Sequence, residues 1–220
     1  MKARRYKVEL AGVTPLLMHQ DNITWAERAK AWQKAPANKG MSQSGDDRQP
    51  GWLWLGYCYH DAEQFVIDAD NLMAMLRDAG KKCPASKGRG SLKAVTQSGI
   101  IVDQIGWPLT VSGKTVPWGP FAALADDHEF AKHEAAAVEH GFELFCKRAR
   151  LNSSKHLRVR PRFDNWGAAG TITVMDDQLS LDVLRTLFDV AGRMIGLCDW
   201  RPGSGSPGRY GMFTAELKGA

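Results

Sequence analysis

Gly196-Leu-Cys-Asp-Trp-Arg-Pro-Gly-Ser-Gly-Ser-Pro-Gly-Arg-Tyr-Gly211, with the basic run that precedes it from Lys147 to Arg162, decides how the rest of the chain is read. Five glycines and two prolines in sixteen residues exclude a regular element. Glycine's extra unfolded-state entropy is worth losing only where the backbone needs positive φ or must approach something closely. The loop also holds Trp200, Arg201, Arg209 and Tyr210, and guanidinium beside flat ring is the pairing that grips phosphate while stacking on a base. Between Lys147 and Arg162 lie seven Lys or Arg residues and no acidic one. Arg158, Arg160 and Arg162 alternate with Leu157, Val159, Pro161 and Phe163. An extended chain therefore sets three guanidiniums on one face about 6.5–7 Å apart, twice the strand rise. Single-stranded RNA or DNA, RNA before DNA, is the expected ligand.

Working outward, Ser180 is expected to cap a helix in which Leu184, Leu187, Phe188, Ala191 and Ile195 share a face and which Gly196 ends, and Tyr210 to Leu217 is a last strand. Thr171–Val174 is expected beside the basic strand. At the other end, Tyr6, Val8 and Leu10 alternate with polar neighbours in a half-buried strand. Asp21-Asn22 opens a helix carrying Trp25, Ala29 and Trp32, and residues 37–51 read as a long loop, mobile unless something binds it. Trp52–Tyr59 and Phe65–Ile67 read as a hairpin, followed by a helix from Asp68 or Asp70 that closes at Gly80. Lys81, Lys82, Lys87, Arg89 and Lys93 stand among Gly, Pro and Ser without an acid, as a basic protrusion. Ile100–Val102 is a short strand, 109–116 a second hairpin around Ser112-Gly113-Lys114, and 121–140 a helical region broken near Asp126-Asp127. Phe142–Phe145 starts another strand.

The chain has 220 residues and a net charge of +5, which permits a polyanion partner without demanding one. Its four cysteines show no C-x-x-C spacing and read as reduced thiols of a cytoplasmic protein. No apolar run approaches the ~20 residues of a membrane span. No cofactor and no metal are expected. His133-Glu134 continues as Ala-Ala-Ala, so the H-E-x-x-H zinc spacing is missing and a solvated helix face is the expectation.

Together these pieces give β-α-β-β-α-β with insertions at about 14–64, 80–98 and 106–145, in one domain over 1–220. This order predicts an α+β, ferredoxin-like fold with an antiparallel sheet and helices on one face. In that setting Phe65-Val-Ile-Asp-Ala-Asp-Asn-Leu-Met-Ala-Met-Leu-Arg77 and the glycine loop ending Gly208-Arg-Tyr-Gly-Met-Phe213 resemble the repeat-associated mysterious protein (RAMP) superfamily, the RNA-binding subunits of CRISPR effector complexes. The resemblance implies a modified RNA-recognition motif, a thumb-like arm at 80–98 and self-association along a guide strand, within a ribonucleoprotein. It departs at Asp68-Ala-Asp-Asn71, where the family carries Pro-Gly-Ser-Ser.

Lys155, Arg158, Arg160, Arg162, Arg201 and Arg209 are the expected phosphate partners, with Trp200 or Tyr210 stacking. Other readings stand beside this one. The arginine face also suits the solvated side of a strand, and the loop a surface connection. A RAMP-type endoribonuclease would use His19 as general base and Asp199 for Mg²⁺, although a core histidine and an Asp199–Arg201 ion pair account for the same residues. A viral protein imitating a CRISPR subunit would turn the basic grooves toward an acidic protein. If exposed, the tryptophans of 14–64 suit a protein neighbour.

Overall fold

The computed structural model describes residues 2–41, 45–85, 90–151 and 154–219. The alternating N-terminal stretch forms β1 (Arg4–Gly12), with Tyr6, Val8 and Leu10 inside and Arg5, Lys7, Glu9 and Ala11 outside. β2 (Leu16–Leu17) precedes α1 (Ile23–Lys34), which starts where the Asn22 side chain accepts the Trp25 N–H. β3 (Val66–Asp68) runs straight into α2 (Ala69–Lys82), whose Asp68 cap accepts the Asp70 N–H at 2.7 Å. Next come α3 (Lys93–Gly99), β4 (Ile100–Val102), β5 (Gly106–Val111), β6 (Lys114–Thr115), α4 (Gly119–Ala122) and α5 (Phe130–Glu139). The basic run makes β7 (Glu143–Leu151) and β8 (Ser154–Phe163). β9 (Trp166–Val174), α6 (Leu181–Val190), a π-helical turn (Ala191–Ile195) and β10 (Phe213–Gly219) complete the chain.

Two antiparallel sheets result, so the architecture is α+β as expected. In the larger sheet β1 lies between β10 and β9. The far edge of β9 is shared by β4, with Ile100 opposite Val174, and β5, with Leu109 opposite Ala168. β5 also pairs with β3 and β6. α2 and α6 cover one face, where Leu72, Leu76, Leu184, Leu187 and Phe188 are buried with Val8, Ile172 and Val174. The opposite face carries Arg5, Lys7, Glu9, Thr171, Thr173, Thr214, Glu216 and Lys218, and its polar groups engage one another: Arg5 reaches Asp103 at 2.9 Å, and Lys218 stands 3.8 Å from Glu9.

The smaller sheet orders β2-β8-β7. The basic strand thus pairs with β7 and β2, not with Thr171–Val174 as expected, because β9 is already flanked by β1 on one side and by β4 and β5 on the other. Behind β8, Phe163 joins Trp54, Phe65, Phe121 and Phe142 in a ring cluster with centroids 4.7–6.0 Å apart. Residues 14–64 and 106–145 therefore build one aromatic core together, in which Trp52 and Trp54 are buried and so offer no surface to a protein neighbour.

Four further expectations are corrected. Leu53–Tyr57 is a 3-10 turn and not a strand, its Leu55 N–H bonding Trp52 O and its Gly56 pressed against Trp25, while only His60 and Phe65 bridge. α2 continues past Gly80, because Thr96 of α3 sits where a side chain at Gly80 would be. The basic protrusion has an ordered base: Cys83 and Leu92 are buried and bonded through Leu92 N and Cys83 O, and Lys93 opens α3, whereas Lys87 and Arg89 lie outside the described residues. The loop after α1 is held by the chain itself: Asp47 N donates to Leu157 O at 3.0 Å and Leu157 N to Gly45 O at 2.7 Å.

His133 is buried, not solvated, with Nε2 2.9 Å from Asp127 O and the ring edge-on to Trp54. Desolvation lowers its pKa, so it folds as the neutral imidazole. The unfolded chain then binds the extra proton first, and stability falls as pH drops below the ordinary value of about 6.5 toward the lower folded-state value. A His133→Gln variant is expected to lose less thermal stability between about pH 7 and 5 than the parent does, measured as the difference in Tm.

Candidate functional site

β7 and β8 present one face made of Phe145, Lys147 and Ala149 opposite Arg160, Arg158 and His156. The glycine loop, 196–211, crosses in front of it. It is tied to the segment after β1 by Asp199 N on Leu17 O at 2.9 Å, Gly211 N on Pro15 O at 2.8 Å and Met212 N on Thr14 Oγ1 at 3.0 Å. Between hairpin and loop lies a cavity of about 450 Å³ lined by Phe145, Lys147, Arg148, Arg158, Arg160 and Trp200 among others. Two neighbouring cavities, of about 520 and 420 Å³, share Lys147 with it and add Arg162, Arg209 and Tyr210. The three form one trough centred on Lys147.

Loop shape sets the aromatic wall of this trough. Trp200 has φ +49° and Cys198 φ +60°, a conformation that costs a non-glycine residue about 1–3 kcal/mol unless its surroundings enforce it. The enforcement is visible: Asp199 Oδ1 accepts the Trp200 N–H at 2.9 Å while its Oδ2 accepts Arg160 Nε at 2.9 Å. Trp200 then stacks on the buried Tyr210, with centroids 5.4 Å apart and planes 30° apart, and Lys147 Nζ sits 3.7 Å from the centroid of the indole. A side chain at Gly211 would combine φ +68° with a Leu197 O only 2.1 Å from its Cβ. Gly211→Ala is accordingly expected to cost roughly 1–3 kcal/mol and to weaken the near-ultraviolet circular dichroism of the Trp200–Tyr210 stack.

The three arginines of β8 do share a face, and each already has a carboxylate. Arg158 Nη1 is 3.1 Å from Asp47, Arg160 reaches Asp199 at 2.9 Å and Asp47 at 3.7 Å, and Arg162 reaches Glu143 at 2.8 Å and Asp164 at 3.1 Å. Asp47 also accepts from the Tyr57 hydroxyl at 3.3 Å. Burial, followed by the Asp47 charge, pushes the Tyr57 pKa up to about 12, so its proton stays in place. Lys147, Arg148, Lys155 and Arg209 are exposed and pair with no carboxylate among the described residues. Lys147 and Arg148, from β7, are trough residues that reading the loop and β8 alone missed; the acid-free run containing them was the available signal.

Other expected site residues fall elsewhere. Arg201 turns toward Asp78, 3.9 Å away, so the expected Asp199–Arg201 pair is replaced by Asp199–Arg160, whose geometry is closer. Lys155 lies on β8, and Lys93 on α3, outside the trough lining. Lys81 and Lys82, on the last turn of α2, line a fourth cavity that meets the trough at Ser204 of the loop. His19 stands edge-on to Tyr57, with centroids 4.7 Å apart. Although its ring keeps exposed surface, desolvation and then the Arg160 charge lower its pKa. All four cysteines are free, and burial raises Cys198 to about 12, an unreactive thiol. Among the described residues no group of three His, Cys, Asp or Glu side chains is placed to hold a metal ion, and no helix is long and apolar enough to cross a membrane. Compared with known proteins, the chain matches no protein-family model and no curated protein.

Proposed function

We propose that this chain binds single-stranded nucleic acid, RNA before DNA, through backbone phosphates and ring stacking. The observation that carries the reading is the convergence of Lys147, Arg148, Arg158, Arg160, Arg162 and Arg209 with the Trp200–Tyr210 stack on one trough. Cations that track a backbone beside rings that accept any base are the physical recipe for sequence-tolerant single-strand binding. The strand order, β1 and β9 central with β10 and β4/β5 outside, supports the ferredoxin-like, RNA-recognition-type reading of the fold. In RNA-recognition motifs, aromatic rings on the open sheet face stack the bases. On this chain the open face carries Arg5, Lys7, Glu9, Thr171, Thr173, Thr214, Glu216 and Lys218, which directs the strand to the trough instead. The resemblance of Phe65–Arg77 and the glycine loop to the RAMP superfamily extends the proposal to a repeating, self-associating subunit of a cytoplasmic ribonucleoprotein.

One observation favours a second reading, RNA cleavage: His19 lies within reach of the charges of the bonded Arg160–Asp199 pair, and a lowered pKa keeps His19 neutral near pH 7 as a general base requires. Loss of RNA cleavage in His19→Ala would support it, and intact labelled RNA, with and without Mg²⁺, would dismiss it. For binding, a filter titration is expected to show affinity falling about 0.7 log units per log unit of salt for each phosphate contacted, hence a slope near 3 for about four contacts. No retention at low salt, or retention without a salt slope, would end the proposal.

A further inference from the structure

The trough continues beyond the glycine loop. Ser204, at the edge of the cavity that holds Lys147 and Arg158, also lines a fourth cavity of about 550 Å³ with Asp78, Lys81 and Lys82 at the C-terminal turn of α2. Cations line the path throughout: Arg162 and Arg209 with Lys147 in the first space, Arg209 and Lys147 again in the second, Lys147 with Arg148, Arg158 and Arg160 in the third, and Lys81 and Lys82 in the last. Asp78 takes Lys81 at 2.7 Å and lies 3.9 Å from Arg201 Nη2, so the lining of the last space sets two lysines against one carboxylate. Arg201 Nη1, beside Asp78, is buried with no hydrogen-bond partner among the described residues.

Both ends of this path are open. Val13, 61% exposed, and the exposed Arg209 border the first space; Met194, 49% exposed, and the exposed Lys81 and Lys82 border the last. A site that reads a strand terminus needs a wall where the next nucleotide would go, and exposed side chains at both ends supply none.

We infer, resting on the nucleic-acid reading above, that the strand crosses the chain from Arg209 to Lys82 over Ser204, so that the ligand is an internal single-stranded segment with no requirement for a free end. Four spaces correspond to on the order of four nucleotides, the short end of the range for single-strand grooves. The ends of the segment leave the protein on opposite sides of the loop, which makes long strands and closed circles ligands as good as short linear ones.

The test uses fluorescently labelled oligouridylates in anisotropy titrations at low salt: lengths of about 2 to 8 nucleotides, a linear chain of roughly 12, and a closed circle of the same size. The circle is expected to bind within about threefold of the linear chain, and affinity to rise with length to a plateau near four or five nucleotides. Lys81→Ala/Lys82→Ala is expected to shorten that plateau by about one nucleotide. A circle bound more than about tenfold more weakly than the linear chain, or a plateau that the double variant does not move, overturns the crossing path and leaves trough binding intact. Failure of every oligomer to bind overturns trough binding, and the crossing path with it.

Discussion

Replacing Lys147, Arg148 and Arg209 together by alanine is expected to lower affinity for single-stranded RNA roughly 1,000-fold, at about 1.5 kcal/mol for each charge-assisted contact, and to reduce the salt slope by about 2. These three cations suit the test because they are exposed, line the trough and hold no carboxylate among the described residues. Their removal breaks no ion pair, and the folded state loses only the Lys147–Trp200 contact, worth about 0.5–1 kcal/mol at an exposed site. Circular dichroism and Tm should therefore stay near the parent's while binding collapses. Lys7→Ala/Lys218→Ala on the open sheet face gives the comparison: it removes two positive charges that do not line the trough, and affinity is expected to stay within about threefold. Equal losses in both variants would mean that the chain attracts polyanions through its overall charge and has no trough site.

The contrast between these lysines and the β8 arginines marks what could be read from the chain and what could not. Alternation and capping were local, so β1, α1, α6 and the arginine face of β8 were legible residue by residue. The partners of those arginines were not. Asp47 lies 111 residues before Arg158 and Asp199 lies 39 after Arg160, and a run free of acids says nothing about acids that folding brings to it. The same holds for Trp52–Tyr59, whose aromatic content favours a half-buried strand. Here Trp52, Trp54, Leu55 and Cys58 are all buried between α1 and the ring cluster behind β8, and the i→i+3 turn is what lets consecutive residues point inward. α3 was missed because Lys93–Gly99 has little apolar periodicity; only Thr96, seated on Gly80, holds it to α2 through a buried side chain.

Asp47 supplies the second test, because it occupies the positions a phosphate would need at Arg158 and Arg160. It is buried, 3.1 Å from one guanidinium and 3.7 Å from the other, and Val159 N–H and the Tyr57 hydroxyl point at the same carboxylate. Removing one partner from a buried charge network leaves the others uncompensated, so Asp47→Ala is expected to cost about 3–5 kcal/mol and roughly 10 °C in Tm. Asp47→Asn keeps an oxygen for Val159 N–H and removes only the charge, which makes it the variant to use if alanine prevents folding. RNA gives the result its functional content. A ligand stabilises the fold in proportion to its preference for the folded state, and a phosphate that restores the missing negative charge beside Arg158 and Arg160 has a larger preference for the variant than for the parent. Saturating RNA is therefore expected to raise the Tm of Asp47→Asn by several degrees more than it raises the parent's. Equal shifts would place the phosphates on Lys147, Arg148 and Arg209 alone, with the β8 arginines serving only to anchor the loop and the segment after α1.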